Sequence, residues 1–187
     1  MKIQQLFELS MKRDLPELLD FPPGIVVNLG CGASRIAGAI NLDYPQWEAE
    51  KYEIKIPNLF TPVSEPISDG SDSWVQCPDN MLAGIHAYHF LEHLHDPRRM
   101  LREMQRCLMP GGVINICVPH YSGSMSHHDL DHKHSFAIDT WRNTFGTPYY
   151  SKDRDGWQLR VHFNALVGIV ERNLAILTQL VKDEDAS

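Results

Sequence analysis

Apolar positions along the chain fall into short runs rather than long stripes. Ile25 to Leu29, Ala39 to Asp43, Tyr52 to Ile56, Ala83 to Phe90 and Val113 to Val118 each read as a strand. The first is a continuous apolar, β-branched run, which predicts a central strand of a parallel sheet. Between the last two runs, Met100, Leu101, Met104 and Leu108 recur at helical spacing. Asp96 is placed to cap that helix, Pro97 suits its first turn, and Pro110-Gly111-Gly112 ends it with a turn. Residues 2–20 read as a helix in two pieces, stopped by Pro22-Pro23-Gly24. Beyond Val118, the pattern predicts a helix over Ile138 to Phe145 and a strand over Trp157 to Phe163. It then predicts an amphipathic helix over Leu166 to Val181, packed on the sheet or serving as a dimer seam. The segment from Lys182 to Ser187 reads as a frayed polar end.

Strands alternating with helices predict an open α/β sheet. About nine residues separate Leu29 from Ala39, fewer than a parallel crossover usually needs. The first crossover helix is therefore expected to be missing or reduced to about one turn. The whole chain of 187 residues is expected to form one domain. Residues 1–23 would be its N-terminal helical segment, 24–119 its core, and 120–187 a substrate loop with C-terminal helices.

Composition narrows the function classes. Seventeen basic against 24 acidic residues give a formal charge of −7, which argues against a nucleic-acid partner. Arg98, Arg99, Arg102 and Arg106 crowd one predicted helix, where a solvated face is the plainer explanation. No apolar run reaches the roughly 18–20 residues of a membrane span. The four cysteines show no CxxC spacing, which predicts reduced thiols and a cytoplasmic protein.

The chemistry gathers at predicted strand ends. Gly30 and Gly32 follow the first strand, Asp43 the second, Asn58 the third, His89 to His93 the fourth, and His120 the fifth. Ligands of open α/β sheets bind at the carboxyl ends of the strands. A Gly-x-Gly turn alone is equally an ordinary connection between strands, so the coincidence of positions carries more weight than the glycines.

In order along the chain stand Asn28-Leu29-Gly30-Cys31-Gly32, Gly38 to Asp43, Asp69-Gly70-Ser71, His89-Phe90-Leu91-Glu92-His93-Leu94, Leu108 to Gly112, and Asp131-His132-Lys133-His134-Ser135-Phe136. This series resembles the short form of the class I S-adenosylmethionine-dependent methyltransferases, over roughly residues 24–141. The resemblance implies a single Rossmann-like, mainly parallel sheet flanked by helices, and S-adenosylmethionine as cofactor; a shortened C-terminal hairpin is expected as a departure of this chain from the family. It implies cofactor contacts from Asn28, Gly30, Cys31, Gly32, Asp43, Tyr44, Asn58, Leu59 and His89. Asp43 would bind the ribose hydroxyls, and His89 would lie near the sulfonium. Asn58 stands where the family often has an acid, and Asn28 likewise.

Methyl transfer needs a nucleophile aligned with the S–CH3 bond and, for an oxygen or nitrogen nucleophile, removal of a proton. Histidine suits that proton transfer near neutrality. His89, His120 and His132 are the candidate catalytic residues. The expected acceptor is an oxygen or nitrogen of a small molecule or sugar, with a homodimer as the one assembly considered.

Two other classes remain open on the sequence. One is a non-catalytic domain that binds S-adenosylmethionine or S-adenosylhomocysteine. The other is a zinc hydrolase, because His89-x-x-Glu92-His93 has the spacing of inverted zinc peptidases. No metal is expected in the main reading. The alternative there is a divalent ion held by Glu92, His93 and a downstream histidine.

Overall fold

The computed structural model describes residues 18–32, 34–42, 77–145, 156–168 and 174–185. Within them a six-stranded sheet runs in the order β2-β1-β3-β4-β6-β5. The strands are β1 (Ile25–Leu29), β2 (Ile40–Leu42), β3 (Leu82–Tyr88), β4 (Leu108–Pro119), β5 (Leu159–Gly168) and β6 (Leu174–Lys182). β1 pairs in parallel with β2 and β3, and β3 with β4. β6 runs antiparallel between β4 and β5. The predicted third strand, Tyr52 to Ile56, and the Asp69-Gly70-Ser71 turn lie outside the described residues, as do residues 1–17.

The first crossover follows the expectation from its length: among the described residues no helix separates β1 from β2. Helix α1 (Pro97–Cys107) starts as predicted, with the Arg99 N–H donating to Asp96 Oδ1 at 2.9 Å. It ends one residue before β4 begins. The Pro110-Gly111-Gly112 segment then falls between ladder positions, since Leu82 is in register with Leu108 and Gly84 with Val113. Helix α2 (Ile138–Phe145) also matches its prediction.

One face of the sheet carries the core. Val27, Ile85, Ile114, Ile116 and Leu180 join Met100 and Met104 of α1 and Trp141 and Phe145 of α2 in one buried cluster. On the other face a polar row crosses the sheet. Asn41, Asn28, His86, Asn115 and Gln179 occupy successive register positions on β2, β1, β3, β4 and β6. Its members satisfy one another: Asn28 Nδ2 donates to Asn41 Oδ1 at 2.8 Å, and Gln179 Nε2 to Asn115 Oδ1 at 2.9 Å. Gln179 also exchanges hydrogen bonds with the backbone of Leu19.

Three expectations are corrected here. The segment from Leu166 to Val181 is no helix: it spans the end of β5 and most of β6. Every residue from Ala175 to Lys182 is buried, because neighbouring strands flank β6 and layers cover both of its faces. Apolar residues at nearly every position then mimic a helical stripe. β6 itself is paired on both edges. The final hairpin is not shortened, since β5 has 10 residues and β6 has 9. Lys182 belongs to β6 and is 3% exposed, not frayed.

All four cysteines are buried, and none is in a disulfide. Among the described residues no helix is long and apolar enough to cross a membrane.

Candidate active site

The carboxyl ends of β1, β3 and β4 lie side by side through the parallel ladder. After β1 the chain turns at Gly30 (φ 58°) and Gly32 (φ 45°), both left-handed. The Cys31 N–H donates to the Leu42 carbonyl at 3.1 Å, tying the turn to the end of β2. A Cβ on Gly30 would stand 2.7 Å from Phe90 Cδ2, so the turn packs directly against the chain leaving β3. Leu42, the residue before Asp43, is in register with Leu29, the residue before Gly30. A bare-backbone turn beside the end of a second parallel strand fits the amino-acid and ribose portions of a nucleoside cofactor.

Asn28 sits just below this turn with its amide turned inward. Its Nδ2 donates to the Ser34 carbonyl at 3.0 Å as well as to Asn41. Asn41 in turn accepts from the Ile36 N–H and donates to the Ile36 and Ala39 carbonyls. These two asparagines shape the loop that replaces a crossover helix. Asn41 was not singled out in the sequence, although two asparagines at equivalent ends of adjacent strands were a usable signal. Asp43, Tyr44, Asn58 and Leu59 lie outside the described residues.

Past β3, His89 takes a left-handed conformation (φ 51°). Its N–H donates to the Cys117 carbonyl at 2.8 Å. Its Nδ1 meets Glu92 Oε1 at 3.0 Å, and its Nε2 lies 3.8 Å from Cys117 Sγ. Burial opposes a charge on this imidazole. The hydrogen bonds to Cys117 and Glu92, with their attraction, outweigh that penalty and push it up to about 10. A ring held in its protonated form donates rather than accepts, so its geometry suits orientation more than proton removal.

The HxxEH segment does not form a helix. His89 is left-handed, and only Leu91–His93 make a single 3-10 turn. His89 and His93 therefore do not share the helix face that an inverted zinc peptidase needs.

After β4, His120 is 8% exposed. The Ser122 N–H donates to its Nδ1 at 3.3 Å, and Ser122 Oγ lies 2.8 Å from the same atom. Nδ1 is thus an acceptor, and the neutral ring carries its proton on Nε2. The Leu174 carbonyl accepts the His120 N–H, and Phe136 bridges to it in parallel.

The loop from His127 to Ser135 closes over the turn at Leu91–His93. The N–H groups of Lys133 and His134 both donate to the Glu92 carbonyl, at 2.7 and 3.2 Å. Lys133 Nζ donates to the His93 carbonyl at 2.8 Å, and His134 Nε2 meets the His95 carbonyl at 3.1 Å. This docking brings His132 against His93, with ring centroids 4.7 Å apart. The structure thus gathers His89, Glu92, His93 and His132, whereas the His120 ring turns to Ser122 and Tyr121.

The arginines of α1 are engaged at its other end. Arg102 stacks over Trp157 at 4.4 Å, and Arg106 pairs with Glu103 and Asp79.

A family model described as a methyltransferase domain matches residues 4–155. A search of curated proteins finds no match. Among solved structures, the chain resembles one from the complex between the Haloferax volcanii Trm112 methyltransferase activator and a methyltransferase. The TM-score is 0.61 at 16% identity, covering 95% of this chain and 88% of that one. A SAM-dependent methyltransferase from Archaeoglobus fulgidus gives 0.54 at 16% identity, covering 94% of each chain. An S-adenosylmethionine-dependent methyltransferase from Mesorhizobium loti gives 0.56 at 15% identity, covering 88% of this chain and 94% of that one. At such identities the structural likeness speaks to the fold, and the family match covers most of the sequence. The chain belongs to the methyltransferase-domain family and shares the fold of these S-adenosylmethionine-dependent enzymes.

Proposed function

We propose that this protein methylates an oxygen or nitrogen of a small-molecule or sugar acceptor, in the cytoplasm and as a single domain. The observation that supports the reading is the left-handed Gly30–Gly32 turn at the carboxyl end of β1, with His89 at the same end of the adjacent parallel strand β3. The formal charge of −7 supports a small acceptor over a nucleic acid.

When bound, the cofactor supplies an electrophilic methyl group on a sulfonium. The Gly30–Gly32 turn, with Asn28 and Cys31 behind it, would hold its amino-acid end. Asp43 would accept from the ribose hydroxyls, with Tyr44, Asn58 and Leu59 beside the base. His89, fixed by Glu92 and Cys117, orients the edge of the transfer site. His120 presents an Nε2–H to the acceptor and aligns its nucleophilic atom. His132, whose buried Nδ1 has no hydrogen-bond partner, is the third candidate catalytic residue.

The test is turnover. The full chain is incubated with S-adenosylmethionine and a panel of sugars, phenols and amines, and S-adenosylhomocysteine is followed by mass spectrometry. Release of demethylated cofactor with a hydroxyl- or amine-bearing compound supports the reading. Tight nucleoside binding with no product across the panel would favour the non-catalytic binding domain instead.

A further inference from the structure

Glu92 is a carboxylate with no access to solvent (0% exposed). One oxygen meets His89, while Oε2 has no hydrogen-bond partner. Beside it, the His132 side chain is 9% exposed. Its Nδ1 is also buried without a partner. Two orphaned acceptor atoms in one buried cluster cost free energy unless something satisfies both. The ligand atoms of Glu92, His93 and His132 all lie within 4.8 Å of one another.

We propose that Glu92, His93 and His132 bind a divalent transition-metal ion, with zinc(II) the best-matched. Two imidazoles and one carboxylate form a donor set that zinc accepts, leaving at least one coordination position open. Two nitrogen donors of three favour such an ion over magnesium or calcium, which prefer oxygen. With metal–ligand bonds of about 2.0–2.2 Å, donors on one tetrahedral ion stand roughly 3.4 Å apart. The observed cluster, within 4.8 Å, must contract by about 1.4 Å to reach that spacing.

The surroundings are built for it. His132 sits between Asp131 and Lys133, and Lys133 is fixed to Glu92 and His93 through its N–H and Nζ. On its far side, His132 Nε2 faces Asp129 Oδ2 at 3.9 Å. The buried Nδ1, which has no hydrogen-bond partner, is then the nitrogen left to bind the metal. His89 stands outside the donor set, because it is spent on Glu92 Oε1. This is therefore not the zinc-peptidase arrangement, which needs both histidines of the HxxEH segment on one ion.

The site itself stands on the side-chain cluster alone. Its role rests on the methyl-transfer reading: His132 becomes a ligand rather than a free base. The open coordination position would then take an acceptor oxygen and lower its pKa.

The experiment uses the full chain stripped with a chelator and desalted, with no methyl donor present. Zinc(II) is titrated by calorimetry, and cobalt(II) by visible absorption. The expected result is a single ion per chain, with cobalt d–d bands and no thiolate-to-cobalt charge-transfer band. His93→Asn, His132→Asn and Glu92→Gln should each weaken zinc binding by roughly tenfold or more. Their circular dichroism should stay as in the unaltered chain, and so should the S-adenosylhomocysteine affinity of His93→Asn. Should one variant misfold, the cobalt spectrum of the unaltered chain and the partly exposed His93→Asn still decide. No stoichiometric binding, binding indifferent to all three substitutions, or a thiolate charge-transfer band would overturn the site. S-adenosylhomocysteine affinity, measured separately, keeps that outcome distinct from failure of the methyltransferase reading.

Discussion

The two ends of the parallel sheet treat buried charge in opposite ways. At the end where β4 begins, Lys182 is buried and its Nζ donates to Asn80 Oδ1 at 2.7 Å and to the Leu108 carbonyl at 2.8 Å. Burial lowers its pKa, but strong acceptors meet the ammonium. Nearby, Arg106 is matched by Glu103, Asp79 and the Cys77 carbonyl. At the opposite end Glu92 is buried just as deeply, yet half of its carboxylate is unmatched. Polar groups at a structural end are closed by the protein itself, because an open one only costs stability. Glu92 Oε2 and His132 Nδ1 are the groups left open at the other end.

Substituting Gly30 breaks the open end most directly. In Gly30→Ala a Cβ enters a left-handed position and lands on Phe90. The conformational cost of about 1–2 kcal/mol and the overpacking cost of about 1–3 kcal/mol together predict a loss of roughly 2–5 kcal/mol. Urea denaturation should show it, with S-adenosylhomocysteine affinity falling as well. Full stability in that variant would mean that the turn is not packed as described.

His86 sharpens the contrast from mid-sheet. Its Nδ1 lies 2.7 Å from Tyr88 Oη, and burial pushes its pKa down to about 4. The folded state resists a proton that the unfolded chain accepts near 6.5. The stabilisation is therefore complete above pH 6.5 and is lost as pH falls towards 4, by up to about 3 kcal/mol. His86→Phe should flatten that part of the stability–pH curve measured by chemical denaturation. An unchanged slope would assign the acid sensitivity elsewhere.

Lys182→Met tests the closed end. It leaves the Leu108 carbonyl without its donor, and should cost about 1–3 kcal/mol. Cofactor affinity should not move, which calorimetry checks. Glu92→Gln is the mirror case and the smallest expected effect. Because the carboxylate is only half satisfied, an isosteric amide should change stability by no more than about 1 kcal/mol in either direction. A large loss on thermal or urea unfolding would make Glu92 as structural as Lys182.

Much of this contrast was legible in the residues. β1 and β3 announced themselves as short apolar runs, α1 by Asp96-Pro97, and the open end by its glycines and histidines. Glu92, His93 and a downstream histidine were visible as a metal alternative, but only the folded loop singles out His132. The closed end was not legible. Lys182 follows an apolar run and precedes acids, which in one dimension reads as a tail. Its acceptors, Asn80 and Leu108, lie 102 and 74 residues away. β6 was misread for a related reason: a strand with neighbours on both edges and covered faces has no polar side to betray its period of two. The polar row was hidden too, since single polar residues in separate strands share a face only once the register is fixed.

The account centres on the open end as the seat of the methyl donor. Calorimetric titration of S-adenosylhomocysteine into the unaltered chain and into Asp43→Ala tests it most directly. The unaltered chain should bind, and Asp43→Ala should bind more weakly by about 1–3 kcal/mol. No binding by the unaltered chain, or equal affinity in the two, would contradict it.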